Sequence, residues 1–500
     1  MQRYKTLPNT LIFTDMRHPY ILLALLLTAC SQQGGLCPDT HLELNFPDTP
    51  AAPASGMIRV RELRTGKVVD SLDLSIPAGP TEPRSYGPDC DYAKVPYDYS
   101  PRSIIPTNRD TRPGTPSGTA IADTSVYQLN IIGGFTDGFH FHPVLIRGQK
   151  AVIYFHNNVL DYGRRYRVEI DDEVFGTHID SKTFRTRRHG PRDVHDLRVA
   201  ADGSGDFCTL QGALDAVADA DTVKTVITLA PGDYEEIVYA RCKTNLEIRG
   251  AGKDLTRIHY ANNEVFNPHP LNVKNNEREG AFPYRRAAVA LDHCNDVTIS
   301  GLTVATDLKG QAEGLLINGE RVALYDVRII GDGDALQANG SIYLENCEID
   351  GGGDTILGRG SVYMYRCALR NGGGPFSWVR NFKPAHGDVL VECTLESTSD
   401  YHADYGRSRL NHGTTYPDAE FVVIDCAVRN FLPQGWSELD EPSALMLEYH
   451  TRSMDSGELV DVSQRHPISR QLDEVRDSAL IASYRNPAFV LGGWNPVQSR

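Results

Sequence analysis

The residues with the clearest capacity for chemistry are two aspartates in matching places of an internal repeat. Gly333-Asp334-Ala335-Leu336 runs through Gly340-Ser341-Ile342-Tyr343 to Cys347-Glu348-Ile349 and Gly352. Gly353-Asp354-Thr355-Ile356 runs through Gly360-Ser361-Val362-Tyr363 to Cys367-Ala368-Leu369 and Gly372, with seven positions identical at an offset of 20 residues. If that offset is one rung of a stacked fold, Asp334 and Asp354 lie one above the other, at the ~4.8 Å spacing of neighbouring strands. Two carboxylates so close cannot easily both ionise, and one pKa is pushed up. The pair then offers a carboxylate and a carboxylic acid near neutral pH, suited to a nucleophile with an acid/base partner. Gln311 lies 23 residues before Asp334, one slightly longer rung, and can present an amide donor where an oxyanion needs one. The competing reading is structural, because Asp beside Gly is common at solenoid corners, where it caps turns. Spacing alone leaves both open.

The elements that must position these residues start near Asp196. From there short strands of β-branched residues recur with polar turns and a cysteine or apolar residue in phase, continuing through Cys393-Thr394-Leu395 and Cys426-Ala427-Val428. Repeats of about 20–30 residues built from short strands predict a stacked solenoid in which each coil buries its apolar face on its neighbours. Period-two strands with glycine corners make it a β-helix. The in-phase cysteines read as an inward stack of small hydrophobes rather than as catalytic thiols.

Residues 31–190 have a different grammar. Apolar runs at 57–63, 68–72, 126–132, 151–155, 166–170 and 183–185 alternate with turns, which predicts a β-sandwich. Gly56-Met57-Ile58-Arg59-Val60, Val68-Val69-Asp70-Ser71-Leu72 and Tyr166-Arg167-Val168 resemble bacterial Ig-like domains. A Pro-rich stretch, about residues 77–118, is too long for a compact loop and reads as an extended excursion. His140 and His142, two apart, are expected on one strand face, packed in the sheet. Before this domain, Met16-Arg17-His18, the apolar residues 21–27 and Thr28-Ala29-Cys30-Ser31 have the anatomy of a secretory signal spanning residues 1–30. Leu27-Thr28-Ala29-Cys30 resembles the bacterial lipobox, so a lipid anchor at Cys30 is expected, with the alternative of an ordinary cleaved signal. Either way the mature chain is expected outside the cytoplasm: an outer-membrane lipoprotein, or periplasmic or extracellular.

Composition narrows the class. The chain has 500 residues, 40% hydrophobic and 23% charged, with a formal charge of −15. That excludes a chain disordered throughout, and the acidic balance argues against a nucleic-acid partner. Ten cysteines in this length do not make a disulfide scaffold. Cys37 and Cys90 are the expected disulfide. No CxxC pair or HExxH motif occurs, so a zinc site has no support.

From residue 194 to 500 the order of motifs resembles the pectinesterase family. Gln311-Ala312-Glu313-Gly314-Leu315 followed by Gly331-Asp332-Gly333-Asp334-Ala335-Leu336 is similar to that family's QAVAL followed by G-x-QDTL. Gly353-Asp354-Thr355-Ile356-Leu357-Gly358 is similar to its VDFIFG, and Gly406-Arg407-Ser408-Arg409 stands where GRPW is expected. Asp202-Gly203-Ser204-Gly205-Asp206-Phe207 resembles its opening, and Leu491-Gly492-Gly493-Trp494-Asn495-Pro496 its end. The resemblance implies an all-β, right-handed parallel β-helix that hydrolyses methyl esters of galacturonate units in pectin (homogalacturonan), without cofactor or metal; a monomer is expected. It assigns Asp354 as nucleophile, Asp334 as acid/base, Gln311 as oxyanion donor and Arg407 as the group orienting Asp354.

Two departures stand out. The family's second oxyanion glutamine corresponds to Gly333, and Gln337 or a backbone N–H is the candidate replacement. The aromatic of GRPW is Arg409, which removes a sugar-stacking platform that Trp378 is a candidate to supply. Arg359, Arg380 and Arg409 belong to a local basic set that could meet free carboxylates on partly de-esterified pectin. The alternative reading keeps the fold but makes the chain a cell-envelope esterase or thioesterase with little pectin activity.

Overall fold

The computed structural model describes residues 34–82, 99–100, 124–125, 127–133, 138–268, 285–398, 400–410 and 414–499. The signal region with Cys30, Cys90 and most of the Pro-rich stretch lie outside the described residues. Among those described, no helix is long and apolar enough to cross a membrane.

From Asp196 onward the chain is a parallel β-helix. Its strands form one 16-stranded and one 9-stranded sheet. Early rungs use long strands that turn a corner without breaking, such as Val289–Ser300, Leu315–Tyr325 and Leu336–Glu345. Later rungs split the same path into two, as in Ile356–Gly358 with Ser361–Tyr365. The repeat offset is one rung: Leu336 pairs with Ile356 and Ser341 with Ser361, all in parallel register.

Inward residues of each rung, such as Leu336, Ala338, Ile342 and Leu344, join one continuous core. Cys347, Cys367, Cys393 and Cys426 stack within it as free, buried thiols, as the in-phase pattern predicts. The residue before each is forced left-handed: Asp326 (before Val327), Asn346, Arg366, Glu392 and Asp425 all have φ of 53–55°. That conformation costs an L-residue about 1–2 kcal/mol, which the parallel pairing on both sides of the corner must offset. The first rung is closed by the helix Leu210–Ala216, capped by Thr209.

The preceding domain has two main antiparallel sheets, one of three strands and one of four, around a common core that includes Leu44, Ile58, Val60, Ile153, Val168 and Phe184, and a separate two-stranded pair, Tyr99–Ser100 with Thr124–Ser125. Leu42–Asn45 and Val144–Arg147 are strands that the apolar runs did not mark. Of the run 126–132, expected as a strand, the described residues 127–132 make only an isolated bridge from Asn130 to Phe139. Nor do His140 and His142 pack within a sheet. They leave the sandwich to meet the solenoid, where His140 Nδ1 lies 2.6 Å from the Phe266 carbonyl oxygen and His142 stacks on the Phe266 ring. Cys37 also reaches the solenoid: it is a free thiol whose Sγ lies within 4.8 Å of Cys208 Sγ. Asp39 Oδ2 accepts the N–H groups of Cys208 and Thr209, each at 2.8 Å.

Candidate active site

Both aspartates sit at the corner that enters one sheet face. Asp334 precedes the strand Leu336–Glu345 and Asp354 precedes Ile356–Gly358, so the strand register stacks them on adjacent rungs. They are 5% and 7% exposed, open enough to meet a ligand and dry enough for strong electrostatics. Arg407, from the strand Asp404–Ser408 two rungs further on, reaches back to Asp354 with a two-pronged bond. Its Nε donates to Oδ1 at 2.8 Å and its Nη2 to Oδ2 at 2.6 Å. Arg407 Nη1 is held by Glu438 Oε2 at 2.8 Å. Burial raises the Asp354 pKa; Arg407 opposes that shift and the nearby Asp334 adds to it.

The expectation that two stacked acids share one proton between them overlooked a second cation. Asp334 has its own guanidinium: Arg286 Nη2 donates to Asp334 Oδ2 at 2.9 Å. The same arginine donates through Nη1 to Gln311 Oε1 at 2.9 Å and through Nε to Glu313 Oε1 at 2.7 Å. Gln311 is exposed, and with its oxygen committed to Arg286 its amide N–H₂ is the group left to donate. Arg286 was missed because arginine next to an apolar strand is unremarkable in sequence. The available signal was Glu313, a carboxylate at a position of the motif where an apolar residue is expected.

The remaining candidates fall in two groups. Gln337, Leu357, Trp378 and Arg407 occupy one register column across four rungs. Gln337 is fully buried, and neither of its amide atoms has a hydrogen-bond partner among the described residues. Its burial keeps it from meeting a substrate carbonyl in this conformation. Trp378 is surrounded by cations, with the guanidinium carbons of Arg380, Arg407 and Arg409 at 4.6, 4.8 and 5.2 Å from its ring. Arg409 is exposed and its Nη1 lies 3.6 Å from Glu438 Oε2. Arg359 is half-buried, whereas Arg380 is fully buried, and burial pulls it down to about 9, still a cation at neutral pH. Gly333 cannot simply regain a side chain, since a Cβ there would meet the Gly310 carbonyl oxygen at 2.7 Å. Asp332 is occupied in the same corner, accepting the Gly310 N–H at 2.6 Å.

A parallel β-helix that stacks two carboxylates on adjacent rungs, each steadied by an arginine, with an amide donor beside them, has the parts of a carboxylic ester hydrolase. The chain belongs to the pectinesterase family, whose model matches residues 196–482. It is similar to Pectinesterase 31 of Arabidopsis thaliana, 28% identical over 283 residues, covering 55% of this chain and 87% of that protein. Probable pectinesterase 8 of the same plant is 25% identical over 315 residues, covering 59% of this chain and 75% of that one. Among solved structures, the pectin methylesterase from carrot has a TM-score of 0.49 at 20% identity, covering 62% of this chain and 97% of that chain.

Proposed function

We propose that this protein demethylates pectin by covalent catalysis from Asp354. The observation that carries the reading is the forked Arg407–Asp354 bond one rung from Asp334. Arg407 opposes the effect of burial, holding Asp354 ionised and aiming one oxygen. Asp354 attacks the ester carbonyl carbon of a methyl galacturonate unit, and the oxyanion takes a hydrogen bond from the Gln311 amide. The C–OCH₃ bond breaks, Asp334 gives its proton to the leaving oxygen, and methanol departs from an acyl-enzyme anhydride. Water then attacks the anhydride and passes a proton to Asp334. Asp354 is released as a carboxylate and the product as a galacturonic acid that ionises into solvent.

Arg409, exposed over the Trp378 ring in place of an aromatic, supports a preference for chains that already carry free carboxylates, and Arg359 adds charge nearby. The signal-like residues 16–31, with a lipid anchor at Cys30, support work on the polysaccharide outside the cytoplasm. The test is methanol release and chain length followed together on highly methylated pectin. Methanol without chain shortening is expected. Asp354→Asn should abolish it with the circular-dichroism spectrum unchanged, and substantial remaining turnover would refute the nucleophile.

A further inference from the structure

Resting on the ester-hydrolase reading, one buried cluster goes further than the four residues it uses. Glu313 is 0% exposed inside the fold, yet it is charged where the related motif is apolar. Its Oε1 accepts from Arg286, itself 3% exposed, while its Oε2 has no hydrogen-bond partner among the described residues. A buried ion pair is weak evidence for stability, because an apolar pair of similar volume often does as well or better. Its retention next to Asp334 and Gln311 calls for a reason.

The geometry provides one. The Arg286 guanidinium touches three groups at once, Gln311 Oε1, Asp334 Oδ2 and Glu313 Oε1, at 2.7–2.9 Å. Its main chain is fixed as well, since Asn262 Nδ2 donates to the carbonyls of Arg285 and Ala287, both at 2.8 Å. Asn262 in turn accepts from Asn267, whose Oδ1 accepts the His140 N–H of the sandwich domain. The arginine is therefore anchored at both ends, and its position does not depend on substrate.

We propose that Arg286, held in place by Glu313, is a positioning residue that compensates for the donor absent at Gly333 by orienting the Gln311 amide toward the oxyanion and fixing Asp334. With its oxygen bound to Arg286, Gln311 can present only N–H to the ester. The fixed positive charge beside it favours the oxyanion without waiting for a side chain to move. Glu313 balances that charge when Asp334 is protonated. Once Asp334 has given up its proton, Arg286 is shared between two carboxylates, and burial raises the Glu313 pKa against the pull of Arg286. The charged groups facing Asp334 are Arg286 and Glu313 on one side and Asp354 and Arg380 on the other, with Glu264 beside Arg286.

The test compares Glu313→Gln, Arg286→Lys and the double variant Arg286→Met/Glu313→Val, each with a thermal melt. The double variant replaces the ion pair by an apolar pair and should melt within a few degrees of the parent, which separates folding from chemistry. All three should lose kcat by roughly 10–100-fold with KM on methylated pectin within about twofold, as expected for an interaction made in the transition state. A folded double variant with kcat within threefold of the parent would overturn this proposal alone. A parent protein that releases no methanol would overturn the ester-hydrolase reading and this one with it. Should the double variant fail to fold, Glu313→Gln decides, since it keeps the size of the side chain and an acceptor for Arg286. Unchanged kcat in that variant overturns the role of Glu313.

Discussion

Arg407→Lys keeps a positive charge beside Asp354 and removes the fork. In the native site the guanidinium spans both oxygens of Asp354, at 2.8 and 2.6 Å, and ties itself to Glu438 with its third nitrogen. It also lies 4.8 Å from the Trp378 ring centroid. A lysine ammonium is a point charge that cannot make two parallel bonds to one carboxylate. Losing one charge-assisted hydrogen bond costs about 1.5–3 kcal/mol, which in the transition state corresponds to roughly a 10–100-fold fall in rate. The side chains of Arg407 and Asp354 are 16% and 8% exposed, so solvent screens the pair only partly. Burial already raises the Asp354 pKa and Arg407 is the main force against it. A looser cation lets that pKa rise further, so less Asp354 is ionised at a given acidic pH. The acid limb of kcat/KM should therefore shift to higher pH, together with the loss of kcat. Methanol release measured from pH 4 to 8 on highly methylated pectin reads both, with Glu438→Gln as a control expected to lose less than tenfold. A lysine variant with kcat within twofold of the parent and an unmoved acid limb would show that Arg407 neither aims Asp354 nor keeps it charged.

Two further outcomes follow from buried groups that take no part in the chemistry. Cys347, Cys367, Cys393 and Cys426 are at most 1% exposed, and burial raises the thiol pKa of the first three. All four should stay unlabelled by a maleimide in the native protein and react only after denaturation, as mass spectrometry of digests would show; native labelling would contradict the inward stack. Burial also lifts Glu236 to about 7 and Asp388 and Asp404 each to about 6. These acids hold protons in the folded state that the unfolded chain has released, so their contribution is complete below about pH 4 and is lost as pH rises through 6–7. Tm should fall by roughly several degrees between pH 5 and 8, and a Tm that rises over that range would refute the assignment.

What the sequence made legible was whatever repeats or is local. The 20-residue period and the in-phase cysteines predicted the solenoid and the stacked positions of Asp334 and Asp354, and the parallel register agrees. Arg407 was visible through its motif. Arg286 was not, because its contact with Asp334 spans 48 residues and is selected by the fold rather than by any spacing rule. The left-handed corners were equally hidden. Asp326 and Asn346 suit that conformation, but Arg366 and Glu392 adopt it only because the rungs on either side demand it. The sandwich domain misled for a related reason. The run 126–132 and the residues 138–142 carry strand-like apolar content, but Ile132 and Phe139 spend it on the neighbouring domain while Phe141 stays in the sandwich core.

That neighbour has consequences for how the chain can be cut. Ile132 and Phe139 share a small core with Ile237, Tyr239, Tyr260 and Phe266, and with Ala287 immediately after Arg286. A fragment starting near residue 194 would bare those rings to water and release both main-chain hydrogen bonds that tie His140 to Asn267. The front module is thus a missing wall of the enzyme rather than an appendage. Engineering that treats it as a detachable adaptor would be trimming the support beneath its own arginine.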